Sequence, residues 1–337
     1  MKSIFFKLMF LLIMVSVLSA AFAYYRYQEF LKTPVFTADE TRLEIQRGSY
    51  YAQLIDQIKN KNGHGDSWQW KLLGRWHDYQ SQIKSGEYIF TAQDTPRSLL
   101  DAIAANRVVS YSWTIVEGQT WQQVRQQLSQ LDLNNKLLDD QTDEEIMVLL
   151  GIDAASMEGQ LLPETYQYTQ ADTDIMLLQR AHRDLQDVLQ KAWQQRHTEL
   201  ALKTPYELLI MASIIEKETA VASERNIISG VFNRRLQKNM RLQTDPTVIY
   251  GVGKDYAGDI TYKHLRTDTP YNTYTRHGLP PTPIAMAGAD SIYAAGQPND
   301  GRELYFVASG EGGHVFSETY QQHQQAVNEF LKKQHDQ

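Results

Sequence analysis

The hydrophobic pattern opens with one long apolar run near the N-terminus. Residues 8–25 carry no charge, and they are about long enough to cross a bilayer if residues 4–6 extend the run. Basic residues precede the run, which favours a cytoplasmic N-terminus, so we predict a cytoplasmic tail over residues 1–7 and a transmembrane anchor over residues 8–25. Because Ala21-Phe22-Ala23 has the form of a cleavage site, a removed signal peptide is the alternative.

Short patterns of helical and strand spacing follow the anchor. Both readings of the N-terminus place the next residues beyond the membrane, and we predict a linker over residues 26–42 and a small α/β module over residues 43–107. In that module apolar residues recur at helical spacing from Tyr51, and Thr95-Pro96 has the N-cap and first-turn chemistry of another helix. This package is typical of a binding module, although a structural collar without a ligand fits the same pattern.

Longer helical patterns follow in the second half of the chain. Thr173 is expected to cap a long helix with one apolar stripe. Thr204-Pro205 begins a further helix, in which Glu207 is placed to complete a capping box, whereas residues 159–166 have no clear periodicity and are predicted to be a loop. We therefore expect an α+β fold that consists of an anchor helix, a small α/β module and a mixed α+β domain.

One glutamate near the end of the helix that begins at Thr204-Pro205 falls on its apolar side. At 100° per residue, Met211 lies about 20° from Glu218 and Ile214 about 40°, whereas Glu216 lies about 160° away. A carboxyl among apolar side chains is desolvated, which raises its pKa towards the range that a general acid needs near neutral pH. The alternative is that Glu218 lies in a frayed, solvated last turn and has no catalytic role.

Polar segments between residues 241 and 316 are rich in tyrosine, amide and hydroxyl groups, and we predict them to be loops. Tyrosine faces with amides and hydroxyls suit a sugar, which offers apolar ring faces and a rim of hydroxyls. Ordinary turn chemistry is the alternative for each segment, and Asp245 in particular is placed to cap a turn ahead of Pro246. The candidate substrate contacts are Gln243, Asp245, Thr247, Tyr250, Asn272, Tyr274 and His314.

Composition removes several classes of function. The 33 basic and 40 acidic residues leave a net charge of −7, which argues against a nucleic-acid-binding protein. The absence of cysteine excludes disulfides, iron–sulfur clusters and a cysteine nucleophile. The nine histidines do not pair at metal-ligand spacing, and the sequence contains no HExxH, GxGxxG, GxSxG or Walker A motif. We therefore expect a site without a metal or a cofactor, and we interpret His314 as a substrate contact.

Five segments, taken together and in this order, resemble the YceG-like family, the endolytic murein transglycosylases. The resemblance is dense from about residue 205 to 330 and extends more loosely back to about residue 40. The family's usual Phe-Ile-Asn-Arg stretch reads Val231-Phe232-Asn233-Arg234 here. The segments that carry the resemblance are 213–219, 241–247, 271–274, 278–281 and 313–314.

The resemblance implies a location and a layout. It implies a single-pass protein of the bacterial inner membrane, with a YceG-like catalytic domain over residues 108–335 in the periplasm. It further implies that residues 43–107 form a LysM-like module and that the catalytic domain contains a lysozyme-like catalytic helix. The partners that it implies are peptidoglycan glycan strands, with coupling to peptidoglycan synthases.

The resemblance also implies a reaction, because the family's catalytic glutamate matches Glu218. The expected enzyme is a lytic transglycosylase that cleaves the MurNAc–GlcNAc bond within nascent glycan strands and leaves 1,6-anhydroMurNAc ends. Glu218 would act first as the general acid and then as the general base. Two alternatives remain open: a muramidase that uses Asp245 or Glu224 as a second carboxylate, and a non-catalytic glycan-binding scaffold of the cell-wall synthesis machinery.

Overall fold

The first element of the structure, a computed structural model that describes residues 2–335, is a helix of 31 residues, α1 (Lys2–Lys32). Within the described residues, α1 is the one helix that is long and apolar enough to cross a membrane, and none of its apolar window is buried. The helix continues seven residues past the predicted end of the anchor, so the first part of the expected linker is helical. Met1, which belongs to the predicted tail, lies outside the described residues.

The described chain divides into two compact units. The first contains the residues up to Tyr111 together with Tyr168–Ala171, and the second contains Ser112–Gln167 together with the residues from Asp172 onwards. In the first unit, β1 pairs antiparallel with β2, with Leu43 opposite Tyr88. After α1, its elements are β1 (Thr41–Ile45), α2 (Tyr51–Asn60), α3 (Ser67–Trp76), β2 (Gly86–Phe90) and α4 (Pro96–Ala104).

The core of the first unit is built on the predicted amphipathic patterns. The helical spacing from Tyr51 is confirmed, since Leu54, Ile55 and Ile58 are buried on one side of α2. The predicted start of α4 is also confirmed, because the Thr95 hydroxyl accepts a hydrogen bond from the Ser98 N–H next to a proline in the first turn.

From residue 111 onwards the structure is mostly helical, with two small sheets. β3 pairs with β4, and β5 pairs antiparallel with β6 so that Ala308 lies opposite His314. The predicted long helix after Thr173 is confirmed. The elements are β3 (Tyr111–Thr114), α5 (Trp121–Ser129), α6 (Asp143–Leu150), β4 (Thr165–Tyr168), α7 (Asp174–Gln194), α8 (Pro205–Glu218), α9 (Arg225–Gln237), α10 (Asp245–Val252), α11 (Tyr262–Arg266), α12 (Ala289–Gly296), β5 (Tyr305–Ala308), β6 (His314–Ser317) and α13 (Tyr320–His335).

α8 is the central helix of the second unit. It packs against α7, α9, α10 and α12, and all eight residues from 208 to 215 are buried. A helix that is apolar all round is typical of such a position. The predicted N-cap is confirmed, because the Thr204 hydroxyl accepts from the Glu207 N–H at 3.1 Å. The capping box is wrong in one detail: the Glu207 carboxylate accepts from the N–H of Lys203, and not from that of Thr204.

Three predicted loops contain regular structure. Residues 245–252 form α10, β4 begins at Thr165 inside the expected loop, and β6 begins at His314. For α10 the reason is local, since Pro246 lies in the first turn, where a missing N–H costs no intrahelical hydrogen bond. The strands depend on partners that are distant in sequence, which a local pattern does not reveal.

Candidate active site

A cleft of about 440 Å³ lies at the C-terminal end of α8 in the second unit. Glu218, the last residue of α8, forms part of its wall. Four of the seven predicted substrate contacts also line this cleft: Gln243, Asp245, Tyr274 and His314. The other lining side chains come from α9, β5, α13 and the segments between them: Arg235, Leu242, Tyr305, Phe306, Val307, Ala308, Tyr320, His323 and Val327.

The Glu218 carboxyl is half-buried and is not in a solvated last turn. Its Oε1 accepts a hydrogen bond from the Thr244 hydroxyl. Burial raises the pKa of Glu218 to about 7, while the Thr244 hydrogen bond and the charge of His314 act in the opposite direction and Asp245 adds to the rise. A carboxyl with this pKa exchanges a proton readily near neutral pH, which is what a residue needs if it acts as both acid and base.

Two buried threonines, Thr247 and Thr273, hold Thr244 in place. The Thr244 N–H donates to Thr273 Oγ1 at 3.1 Å, and the Thr247 hydroxyl donates to the Thr244 carbonyl at 2.8 Å. The hydroxyls of Thr247 and Thr273 are 2.9 Å apart. Thr247, a predicted substrate contact, is therefore fully buried behind the cleft wall, and its hydroxyl is used inside the protein.

Gln243 projects from a backbone conformation that side chains seldom adopt. Its φ is +53°, in the left-handed region, and the side chain is exposed at the cleft. Its N–H donates to the Thr273 carbonyl at 3.2 Å, so the backbone on this side of the cleft is fixed. A residue other than glycine in this region costs roughly 1–2 kcal/mol, and such residues concentrate at functional sites.

Asp245 and Tyr274 form a polar pair in the cleft. The Tyr274 hydroxyl donates to Asp245 Oδ1. Burial, and after it this hydrogen bond, raises the pKa of Tyr274, so the phenol stays protonated and remains a donor. Asp245 lies in the first turn of α10 and makes no side-chain cap; the N-cap position belongs to Thr244.

Asn272 supports this pair from behind. It is almost fully buried, its amide donates to the carbonyl of Thr267 at 2.7 Å and to two further carbonyls, and its Oδ1 accepts from the Tyr274 N–H at 2.9 Å. Asn272 does not line the cleft, so its contacts shape the turn that carries Tyr274.

A second carboxyl, Glu224, is paired with His314. Its Oε1 accepts from the His314 N–H at 2.8 Å, and its Oε2 lies 2.7 Å from His314 Nδ1 and accepts from the Thr219 hydroxyl at 3.1 Å. Burial acts to raise the pKa of Glu224, but these hydrogen bonds outweigh it and hold that pKa below its usual range. His314 therefore contacts both carboxylate oxygens of Glu224, and Thr219, which follows Glu218 in the chain, bonds one of them.

The cleft is also lined by groups that the sequence analysis does not single out. The guanidinium of Arg235 is buried, donates to the carbonyls of Leu304 and Leu242 at 2.7 Å each, and lies 5.2 Å from the ring centre of Tyr305. Tyr305 in turn stacks on His323 with ring centres 5.3 Å apart. The sequence analysis does not single out Thr244 either, although Thr244 lies within segment 241–247. The sequence does contain an indication that Arg235 is buried, because this charged residue lies on the same side of α9 as the apolar Val231 and Phe232.

Tyr250, the remaining predicted contact, lies off the cleft. Its hydroxyl donates to Glu158 Oε2 at 3.0 Å, and its ring packs edge-on against Tyr271 with centres 4.8 Å apart. Glu158 is buried, which raises its pKa to about 7, and it also accepts from the Trp121 N–H at 2.9 Å.

Among residues 2–335, no three or more histidine, aspartate or glutamate side chains are placed to hold a metal ion.

The fold and the cleft define a mixed α+β protein with a single N-terminal apolar helix and an acid-bearing polar cleft. The sequence profile of the YceG-like family matches residues 43–329, and the chain belongs to that family. A crystal structure of a putative yceG-like protein from Listeria monocytogenes superimposes with a TM-score of 0.51 at 26% identity, and the match covers 85% of this chain and 98% of the other.

Two curated relatives carry the name endolytic murein transglycosylase. The protein of Bacillus subtilis strain 168 is 37% identical over 180 residues, which are 53% of this chain and 49% of the relative. The protein of Streptococcus pneumoniae strain D39 is 32% identical over 167 residues, which are 48% of this chain and 29% of the relative. The matched segment thus spans about half of the first relative and less than a third of the second.

Proposed function

We propose that this chain is an endolytic lytic transglycosylase that cleaves the MurNAc–GlcNAc bond of nascent peptidoglycan strands. The observation that carries the proposal is the Glu218 carboxyl, whose pKa is raised to about 7 at the wall of a cleft that also presents amide, phenol and imidazole groups. The names of the Bacillus and Streptococcus relatives support the same activity.

The first step in this proposal is protonation of the leaving group. Glu218 donates its proton to the glycosidic oxygen, the bond from that oxygen to C1 of MurNAc breaks, and positive charge develops at C1. Because Thr244 bonds Oε1, the proton is expected on Oε2. The resulting carboxylate is stabilised by the Thr244 hydroxyl and by its electrostatic interaction with His314, which are the two groups that lower the pKa of Glu218.

The second step closes a ring within the same sugar. The Glu218 carboxylate accepts the proton of the C6 hydroxyl, whose oxygen attacks C1 and forms the 1,6-anhydro end. Glu218 is thereby returned to its protonated form and no water is consumed. One carboxylate serves for both steps, whereas ordinary glycosidases generally use a pair.

We assign the remaining predicted residues to two kinds of role. Gln243, Asp245, Tyr274 and His314 are proposed to hold the sugar, which their places on the cleft wall support. The other three act indirectly, since their polar groups bond within the protein: Thr247, Tyr250 and Asn272.

We propose the same domain layout as the sequence predicts. Its parts are a tail over residues 1–7, an anchor over 8–25, a linker over 26–42 whose Tyr27 and Phe30 pack in the core of the first unit, a LysM-like module over 43–107 and a catalytic domain over 108–335 in which α8 is the lysozyme-like catalytic helix. The strand–helix–helix–strand order of β1, α2, α3 and β2 supports a separate small module, and the central position of Glu218-bearing α8 supports its catalytic role.

We propose that α1 crosses the bacterial inner membrane once and that the catalytic domain lies in the periplasm. The length and apolar surface of α1 support the crossing, and the basic residues before the apolar run support this orientation. The periplasm is where glycan strands are available. Coupling to peptidoglycan synthases would bring the cleft to strands as they are made.

The test is product analysis by mass spectrometry. The full-length protein in detergent is incubated with uncrosslinked glycan strands, beside Glu218→Gln and the matched variant Glu216→Gln. Glu216 lies on the same helix but does not line the cleft. Its Oε2 accepts a hydrogen bond from the Gly288 N–H at 2.9 Å. Wild type and Glu216→Gln should give anhydro ends, and Glu218→Gln should give none.

Other outcomes would contradict the proposal in different ways. Products that are heavier by one water, with reducing ends, would make the protein a muramidase. Undiminished cleavage by Glu218→Gln would remove that residue from the mechanism. Binding of strands without any cleavage by the wild type would favour the scaffold.

A further inference from the structure

α3 carries a solvent-facing stripe that the catalytic proposal does not use. One side of the helix is buried in the first unit, and it includes Trp70 and Leu73. The opposite side is exposed and combines two tryptophans, a leucine and two cations without any acidic residue: Trp68, Lys71, Leu72, Arg75 and Trp76. Trp68 is 43% exposed and Trp76 is 69% exposed, which is unusual for side chains of this size in water.

This stripe lies beside the point where α1 leaves its apolar run. The Gln69 side chain donates to the carbonyl of Arg26 at 2.9 Å. The ring of Tyr27 is 6.5 Å from that of Trp68 and 6.1 Å from that of Trp76, centre to centre. α1 is continuous here, so Tyr27 is only about 3 Å further along the helix axis than Tyr25, where the uncharged run ends.

The level of Tyr27 is the level of the lipid headgroups if α1 spans the bilayer. The interfacial layer on each side of the hydrocarbon core is about 5–7 Å thick. Tryptophan and tyrosine are enriched in that layer because they are apolar with one polar atom, and lysine and arginine there meet lipid phosphates. The outer face of α3 has this composition, and Tyr24 and Tyr25, at the end of the apolar run of α1, are exposed as well.

We propose that the outer face of α3 rests in the headgroup layer of the bilayer that α1 crosses. Trp68 and Trp76 lie at the boundary with the acyl chains, and Lys71 and Arg75 contact the phosphates of anionic lipids. The first unit is thereby held against the membrane surface at a fixed height. This inference rests on the proposed membrane crossing of α1 and is independent of the role of Glu218.

The occupant that the surroundings favour is the bilayer, because the stripe adjoins the end of the apolar run of α1 and its charged residues, Lys71 and Arg75, are both cations. A glycan strand is the competing occupant, since a groove of about 670 Å³ along this face is lined by Tyr50, Trp68 and Leu72 among others. Quenching by brominated lipids, with and without added glycan strands, separates the two.

The test is quenching of tryptophan fluorescence by lipids brominated in the acyl chain. Full-length protein is placed in nanodiscs of phosphatidylcholine and phosphatidylglycerol, and wild type is compared with the double variant Trp68→Phe, Trp76→Phe. The control is Trp193→Phe, a tryptophan on α7 in the second unit. We expect the double variant to lose most of the lipid-dependent quenching and the control to keep it. Equal quenching in wild type and the double variant would overturn the proposal.

A second arm tests the charges. We expect brominated phosphatidylglycerol to quench the wild-type fluorescence more than brominated phosphatidylcholine does. We expect the double variant Lys71→Gln, Arg75→Gln to lose this difference. Equal quenching of the wild type by both lipids would overturn the contact with anionic lipid. Relief of quenching by added glycan strands would show that a strand takes this face instead. Failure of the chain to enter nanodiscs would overturn the membrane crossing itself, and it is distinguished by size-exclusion chromatography.

Discussion

The protonation of Glu218 depends on a few neighbouring atoms. Burial favours the neutral form and raises its pKa to about 7, while the hydrogen bond from Thr244 favours the carboxylate. If Glu218 must be protonated to begin the reaction, kcat/KM should be highest below pH 7 and fall about tenfold per pH unit well above it.

Thr244→Val tests this balance. Since the lost hydrogen bond stabilised the charged form, the pKa of Glu218 should rise, and the alkaline limb of the kcat/KM profile should move up by about one pH unit. Thr267→Val, which removes a hydroxyl bonded to the Lys263 carbonyl in the same unit, should leave the profile unchanged. A limb that moves to lower pH, or not at all, would mean that Thr244 does not control the protonation of Glu218.

Gln243 gives a second prediction, in which stability and activity change separately. Gln243→Gly removes a side chain from the left-handed region, so the free energy of unfolding should stay the same or rise by up to about 1 kcal/mol. Glycan cleavage should fall about tenfold, because one hydrogen bond to the sugar is lost. Denaturant unfolding and the cleavage assay measure the two effects.

The control for Gln243 is Asn239→Gly. Asn239 also has a positive φ, of 49°, but it does not line the cleft. Its stability should respond in the same direction, with no loss of cleavage. Unchanged cleavage by Gln243→Gly would remove Gln243 from the substrate contacts.

At the scale of elements, the turn after α11 depends on Asn272. Its amide holds three carbonyls and its Oδ1 holds the Tyr274 N–H, so Asn272→Ala should lower the free energy of unfolding by roughly 1–3 kcal/mol. Asn328→Ala, at an exposed position of α13, should change it by less than about 0.5 kcal/mol. If both variants unfold at the same denaturant concentration, the turn does not depend on these bonds.

The elements also show which features of the fold and the site can be predicted from the sequence. The start of α8 could be read from Thr204-Pro205 because a cap and a first-turn proline act within four residues, and the apolar side of Glu218 could be read from helical spacing. The Thr244 hydrogen bond joins residues that are 26 apart, and the pairing of Glu224 with His314 joins residues that are 90 apart.

Such contacts are fixed by how whole elements pack, and no local pattern encodes them. α10 was missed for a different reason, because the Thr-Asp-Pro sequence that starts it is also typical of a turn. The polar composition of residues 241–274 therefore pointed to the right region, but it did not separate Asp245 and Tyr274, which line the cleft, from Thr247 and Asn272, which support it.

At the scale of the whole molecule, α1 has two functions in one helix. Its exposed apolar length is suited to a bilayer, while two residues just beyond it, Tyr27 and Phe30, are 5% and 0% exposed in the core of the first unit. Phe30 packs edge-on against Trp70 with ring centres 5.1 Å apart. The anchor and the first unit are thus joined by shared side chains as well as by the chain itself.

This arrangement predicts where the chain can be shortened. A protein that begins at Arg26 keeps both core aromatics and should retain the folded first unit, whereas one that begins at Thr33 loses them. Since loss of one buried phenylalanine side chain costs about 3–5 kcal/mol, the shorter protein should show fast hydrogen exchange throughout β1, α2 and α3. The second unit serves as the internal control, because its core contains neither residue, and its exchange should be the same in both proteins. Equal protection of the first unit in the two proteins would show that residues 26–32 of α1 do not stabilise that unit.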